Sequence, residues 1–129
     1  MRINEAANPI SRRILVVEDH DDSRRAIARL LELNGHEVLD AGDGLSALEL
    51  AQSQSFELAL IDISLPDMDG IELLTRLRRD RPIDAIAVTG HPLDTERARC
   101  TQAGFRDLLL KPFTIEGLLK LIAQSPDKE

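Results

Sequence analysis

Phe56-Glu57-Leu58-Ala59-Leu60-Ile61-Asp62-Ile63-Ser64-Leu65-Pro66-Asp67-Met68-Asp69-Gly70 is the stretch that decides the fold. Leu58 to Ile61 is an unbroken apolar run of strand length, the pattern of a strand covered on both faces. Asp62 is the first charge after it, and Leu65-Pro66 follows shortly. Proline has no N–H to give to a ladder, so a central strand cannot run through Pro66. Asp62 is thereby placed where a buried strand gives way to a loop. An unpartnered carboxylate there would be costly, so a partner or a chemical role is expected of it.

The same pattern recurs on either side. Ile14 to Val17 ends in Glu18-Asp19, Ala85 to Val88 in Thr89-Gly90, and Leu108 to Leu110 in Lys111-Pro112. Glu37 to Ala41 has only Val38 and Leu39 as strong apolar residues, which places it near a sheet edge. Helical periods lie between the runs. Asp21-Asp22-Ser23 offers capping side chains for a helix whose stripe is Ile27, Leu30, Leu31 and Asn34, with Arg24, Arg25 and Arg29 on a solvated face and Asn34-Gly35 as the stop. Asp43-Gly44 opens a second helix. Asp69 reads as the N-cap of a third, which turns Ile71, Leu74 and Leu77 inward and Arg76, Arg78 and Arg79 to solvent. Asp94 to Ala103 is helical by position but contains no Leu, Ile, Val or Phe, so its hold on the core is expected to be weak. The last helix carries Ile115, Leu118, Leu119 and Ile122 on one face.

Five strand–helix units with continuously apolar strands define an α/β domain: a parallel sheet covered on both faces, with right-handed crossovers. In such a sheet, ligands bind beyond the carboxyl ends of the strands. The chain of 129 residues, 43% hydrophobic, suits one domain over 13–124, with a flexible segment at 1–12 and a polar tail at 125–129. With no Trp or Tyr it lacks stacking platforms for single-stranded nucleic acid, and a net charge of −7 argues against direct nucleic-acid binding. The lone Cys100 rules out an internal disulfide, fits a reducing compartment, and reads as a packing residue. No apolar run reaches membrane-spanning length, so a cytoplasmic domain without membrane insertion is expected. His20 and His36 are expected to face solvent.

The chemistry collects at the strand ends. Glu18 and Asp19 close the first strand, Asp62 the third, Thr89 the fourth and Lys111 the fifth. In a parallel sheet these ends share one rim. Two carboxylates ~4 Å apart at an effective dielectric of ~20 repel by about 4 kcal/mol before relaxation. A hard divalent cation resolves that repulsion, and oxygen donors without His or Cys favour Mg²⁺, with Mn²⁺ as the substitute. A lysine and a hydroxyl on the same rim suit a phosphoryl group, and Asp62 is the candidate nucleophile. Asp67 and Asp69 read as loop and cap residues.

Glu18-Asp19 after Ile-Leu-Val-Val, Asp62 with Leu65-Pro66 and Met68-Asp69-Gly70, Val88-Thr89-Gly90, and Lys111-Pro112-Phe113 together resemble the receiver domain of two-component response regulators, the CheY-like superfamily. The resemblance covers about residues 13–124. It implies a doubly wound (βα)5 flavodoxin-like domain, with a five-stranded parallel sheet of order 2-1-3-4-5. It also implies that Asp62 is the phosphoacceptor for a partner histidine kinase or histidine phosphotransfer protein. Glu18, Asp19, Asp62 and the backbone carbonyl of Ser64 would surround Mg²⁺, directly or through water. Thr89 and Lys111 would bind the phosphoryl oxygens, Lys111–Pro112 would be cis, and Ser64 and His91 would tune dephosphorylation. Leu108 occupies the position where the family usually has the aromatic of its switch, so transmission is expected through Thr89 and residues 90–103 instead. The output would be a downstream protein target or a covalently linked output domain. Ala103-Gly104-Phe105 is reminiscent of receivers in hybrid histidine kinases.

Other readings stand beside this one. A small aspartyl-nucleophile phosphatase would usually carry a second acid two residues after the nucleophile, where this chain has Ser64. A flavin carrier would have a hydroxyl-rich phosphate loop after the first strand, where this chain has acids. A degenerate receiver acting as a phosphorylation-independent interaction module would not need the full acid, Thr and Lys set.

Overall fold

The computed structural model describes residues 11–90 and 94–124. Its elements alternate as β1 (Arg13–Val17), α1 (Asp21–Leu33), β2 (Glu37–Ala41), α2 (Gly44–Ser53), β3 (Leu58–Asp62), α3 (Gly70–Leu77), β4 (Asp84–Thr89), α4 (Asp94–Ala103), β5 (Asp107–Leu110) and α5 (Ile115–Ala123). All four ladders are parallel and the strand order is β2-β1-β3-β4-β5, the flavodoxin-like order expected. All five residues of β3 are buried, and β2, with charged Glu37 and Asp40 exposed, forms an edge.

Alternation along the strands builds two cores. Ile14, Val16, Leu58, Leu60 and Ile86 pack with Leu31 of α1 and with Leu118 and Ile122 of α5. Leu15, Val17, Ala59, Ile61, Ala85 and Ala87 point to the other face, with Ala47 of α2, Leu73, Leu74 and Leu77 of α3, and Cys100 of α4. With almost no aromatics, the branched aliphatics carry this burial, each fully buried side chain contributing about 1.5–3 kcal/mol. Cys100 is the one buried residue of α4, in keeping with its weak apolar pattern.

Several local expectations change. The N-cap of α1 is His20, with no side-chain cap bond, rather than Asp21, Asp22 or Ser23. The two aspartates lie in the first turn, where negative charge complements the helix dipole. Within the α1 stripe, Leu31 is buried but Leu30 is exposed, and Asn34 serves as C-cap before Gly35 at φ 93°. Arg24 is not on a solvated face. Its guanidinium donates to the Glu18 carbonyl, to Asp40 and to Asp21, tying the β1–α1 loop to β2.

Arg78 likewise turns inward. It donates to the Ile83 carbonyl from Nε and Nη2 (3.0 and 2.7 Å) and to the Gly104 carbonyl at 3.0 Å. Arg81 meets the Gln54 and Ala51 carbonyls, and Arg12 meets the Gln124 carbonyl. In a wound α/β sheet the helix C-termini collect at the end opposite the site, and there the carbonyls of Ala51, Gln54, Gly104 and Gln124, with that of Ile83 just before β4, find these donors. His36 is half-buried rather than solvent-facing, and its Nδ1 accepts from the Arg12 backbone N–H at 3.1 Å. Among the described residues no helix is long and apolar enough to cross a membrane.

Candidate functional site

The ladders carry past the strand ends and fix where the polar residues stand. Glu18 N–H donates to the Ala41 carbonyl, Ile63 N–H to Val88, and Lys111 N–H to Thr89 (3.1, 3.0 and 2.8 Å). Asp62 pairs in register with Val88, and Thr89 with Leu110. Glu18, Asp62 and Thr89 are therefore part of the sheet's hydrogen-bonded frame and are almost wholly buried, at 3, 5 and 1% exposure.

Lys111 joins two of these groups. Its Nζ donates to Asp62 Oδ2 at 2.8 Å and to Glu18 Oε1 at 3.0 Å. Asp62 Oδ1 accepts from the Ser64 backbone N–H at 2.8 Å, so both of its oxygens are held. Glu18 Oε2 accepts from the His20 backbone N–H at 3.0 Å and lies 2.9 Å from His20 Nδ1, which is itself 3.4 Å from Asp19 Oδ1. Burial works to raise the Glu18 carboxyl, but the His20 N–H, the His20 ring and Lys111 bring it down to about 2. Burial dominates at Asp62 and raises its carboxyl above the ordinary value, against Lys111 and the Ser64 N–H; the charge of Glu18 adds to the rise. Burial would lower Lys111, but Asp62 and Glu18 outweigh it and raise the ammonium.

The loop after Asp62 is pinned on three sides. Gly70 N–H donates to the Ile63 carbonyl, and a Cβ on Gly70 would stand 2.7 Å from the Asp62 carbonyl oxygen, so only glycine lets α3 start so close. Asp69 caps α3 through Ile71 N–H, as expected, and also accepts from Arg99 of α4 at 3.0 Å. Asp67 caps a helix far from it in sequence: its two oxygens accept from Gly44 and Leu45 N–H at the start of α2 (2.8 and 2.9 Å).

Glu18, Asp19, Asp62, Thr89 and Lys111 thus reach one rim. Ser64 is exposed beside Asp62, and His91 lies outside the described residues. Leu108 pairs with Ala87 and packs, partly buried, on the α4-side core. Lys111–Pro112 is cis, as the resemblance implies. The part that sequence reading missed is His20, whose exposed ring meets both acids. The donor set suits a hard divalent cation: the carboxylates of Glu18 and Asp19, with that of Asp62 across the shared ammonium, are oxygen ligands whose mutual repulsion needs a positive charge. An apolar groove of about 540 Å³ runs beside Lys111 between α1 and α5, walled by Ile27, Leu30, Phe113, Ile115 and Leu118.

A flavodoxin-like sheet with an acid pair, a buried aspartate and a lysine at its carboxyl rim defines the receiver class of signalling domain. The response regulator receiver domain model matches residues 14–123, and the chain belongs to that family. It is similar to the CheY-like response regulator receiver domain of Methanospirillum hungatei JF-1 (34% identity, TM-score 0.84, covering 92% of this chain and 95% of that one). A response regulator protein from Burkholderia pseudomallei, solved with a phosphorylated aspartic acid, calcium ion and citrate, matches at 26% identity and TM-score 0.81, covering 88% of this chain and 68% of that one. The transcriptional regulatory protein SrrA of Staphylococcus aureus is 35% identical over 105 residues, 81% of this chain. The chain spans 44% of SrrA's length. Receiver domains are phosphoacceptor modules of two-component signalling rather than classical enzymes, and as a family they bind a divalent metal.

Proposed function

We propose that Asp62 accepts a phosphoryl group from a histidine of a partner kinase or phosphotransfer protein, and that the chain signals through the resulting change at its rim. The observation that carries this reading is the Lys111 ammonium bridging buried Asp62 and Glu18. An aspartate buried at a strand end and hydrogen-bonded by a lysine is a nucleophile whose attacking oxygen is already oriented. As an Asp62 oxygen attacks phosphorus, the bond to the donor nitrogen breaks and the imidazole leaves with the electron pair. Lys111 then faces the negative charge of the phosphoryl oxygens, and the Thr89 hydroxyl supplies a hydrogen bond from the neighbouring strand end. The Ser64 N–H holds the other Asp62 oxygen in place.

Glu18, Asp19, Asp62 and the Ser64 carbonyl would hold Mg²⁺, with Mn²⁺ as substitute. When bound, that cation neutralises charge on the transferring group. The phosphorylated aspartate and calcium of the Burkholderia protein support the assignment. The groove beside Lys111 supports a protein donor, since it offers an apolar seat next to the nucleophile. SrrA's greater length supports a covalently linked output domain, and a separate downstream target is the alternative output.

The test is incubation with acetyl phosphate and Mg²⁺ followed by intact-mass measurement. One phosphoryl increment on the wild type and none on Asp62→Asn is expected. An equal increment on the variant would overturn the assignment, and Asp62-dependent turnover of a free phosphate ester such as p-nitrophenyl phosphate would favour the phosphatase reading.

A further inference from the structure

We propose that His20 is a nitrogen ligand of the cation site formed with Glu18 and Asp19, and that it shifts the site's preference from Mg²⁺ toward first-row transition ions. The inference rests on the reading that these acids hold the divalent ion, and it adds a donor that the all-oxygen set lacks.

Three observations lead to it. Among the described residues, Glu18, Asp19 and His20 are the one group of three His, Cys, Asp or Glu side chains spaced for a metal, with ligand atoms all within 4.8 Å of one another. His20 Nδ1 stands 2.9 Å from Glu18 Oε2 and 3.4 Å from Asp19 Oδ1. Neighbouring ligands of an octahedral ion at about 2.1 Å are about 3 Å apart, so the spacing now closed by the His20–Glu18 hydrogen bond also matches that of two ligands on one cation. Finally, His20 occupies the N-cap of α1, yet its side chain makes no cap bond. Ser, Thr, Asp or Asn would bond the helix there; this chain has an imidazole turned toward the acids.

The ring is 73% exposed, so water reaches the same point and can fill remaining coordination positions. Glu18 Oε1 is committed to Lys111 and Oε2 faces the ring, so Oε2 is the oxygen that would meet a cation. Imidazole adds little for Mg²⁺, which prefers oxygen, and more for the first-row transition ions, least for Mn²⁺ and rising along the Irving–Williams order to Co²⁺ and Ni²⁺. With Nδ1 as the ligating atom, Nε2 keeps the ring proton and faces solvent.

Mn²⁺ serves as the probe. Its binding to the full chain is followed by loss of the free-ion EPR signal, and its ligands by ¹⁴N modulation of the electron spin echo. Wild type is expected to show nitrogen modulation that disappears in His20→Gln. That variant should bind Ni²⁺, followed by competition against Mn²⁺, about tenfold more weakly, Mn²⁺ by a smaller factor, and Mg²⁺ with little change. Nitrogen modulation that is absent from wild type, or that survives in His20→Gln, overturns the role of His20 while the acid site stands. Equal Mn²⁺ binding by wild type and Asp19→Asn removes the acid site, and the inference with it.

Discussion

Lys111 Nζ lies 2.8 Å from Asp62 Oδ2, and the same ammonium holds Glu18 at 3.0 Å. One cation on the fifth strand's end thus reconciles two buried carboxylates that close the first and third strands. Removing it leaves the carboxylates facing each other without a counter-charge. Lys111→Ala is expected to lose about 1–3 kcal/mol in urea unfolding without divalent ion. Because a bound cation would supply the missing charge, much of that loss should be regained in Mg²⁺. A loss unaffected by Mg²⁺ would show that the lysine and the metal do not share these acids.

Gly70 carries a steric prediction. A Cβ there would meet the Asp62 carbonyl oxygen at 2.7 Å and Ile63 Cα at 2.9 Å, both backbone atoms that cannot swing aside. Gly70→Ala should cost about 1–3 kcal/mol and slow phosphorylation by displacing the loop after Asp62. At Gly90, where nothing among the described residues lies within 4 Å of the added carbon, Ala should change stability by less than about 0.5 kcal/mol. Urea midpoints of the two variants compare them directly.

The fold and the rim were legible because burial on both faces writes itself into a sequence. Leu58 to Ile61 needs no context, and each polar residue that ends such a run marks a strand end. What escaped reading is what depends on backbone acceptors or on residues distant in sequence. Arg78 looks like a solvated helix residue because the carbonyls it meets carry no side-chain signal. Asp67 caps α2 from 22 and 23 residues away. His20 reads as a solvent-facing residue because its exposure is real; its contact with the acids depends on how the chain enters α1.

Arg78 tests the carbonyl-binding role. Its fork serves both Ile83 and Gly104, and Gly104 sits at φ 105° with the guanidinium where a Cβ would be. Arg78→Ala should destabilise by about 1–3 kcal/mol. Arg78→Lys should recover little, since one ammonium cannot reproduce the planar donors. Full recovery in the lysine variant would reduce the role to charge alone.

The α4 helix gives a prediction about transmission. It buries only Cys100 and is linked to the acceptor loop by Arg99–Asp69 at 3.0 Å. Its amides should exchange faster than those of β3, and beryllofluoride with Mg²⁺ should change exchange across Asp94–Ala103 and β5. Leu108 packs against the α4-side core, so Leu108→Ala should weaken the coupling without removing phosphorylation. Unchanged exchange on beryllofluoride binding would move the output elsewhere.

His36 supplies a pH dependence whose sign is fixed by one hydrogen bond. Nδ1 accepts from the Arg12 N–H, so the ring must be neutral at that nitrogen. Burial first, and the Arg12 charge second, lower the ring below its ordinary value of 6.5. The folded chain therefore binds this proton less readily than the unfolded chain. Full stability is present above pH 6.5 and declines as pH falls through the folded value. His20 runs the other way: its bond to Glu18, with the Asp19 and Glu18 charges, raises the ring, so its contribution is complete below pH 6.5 and fades as pH rises through the folded value. The two histidines partly cancel in the wild type, and the clean measurement is the difference between wild type and His36→Gln. That difference should move against wild type as urea midpoints are taken from pH 7.5 to pH 5.5. A difference independent of pH would mean that the ring stays unprotonated in both states or gains its proton in both alike.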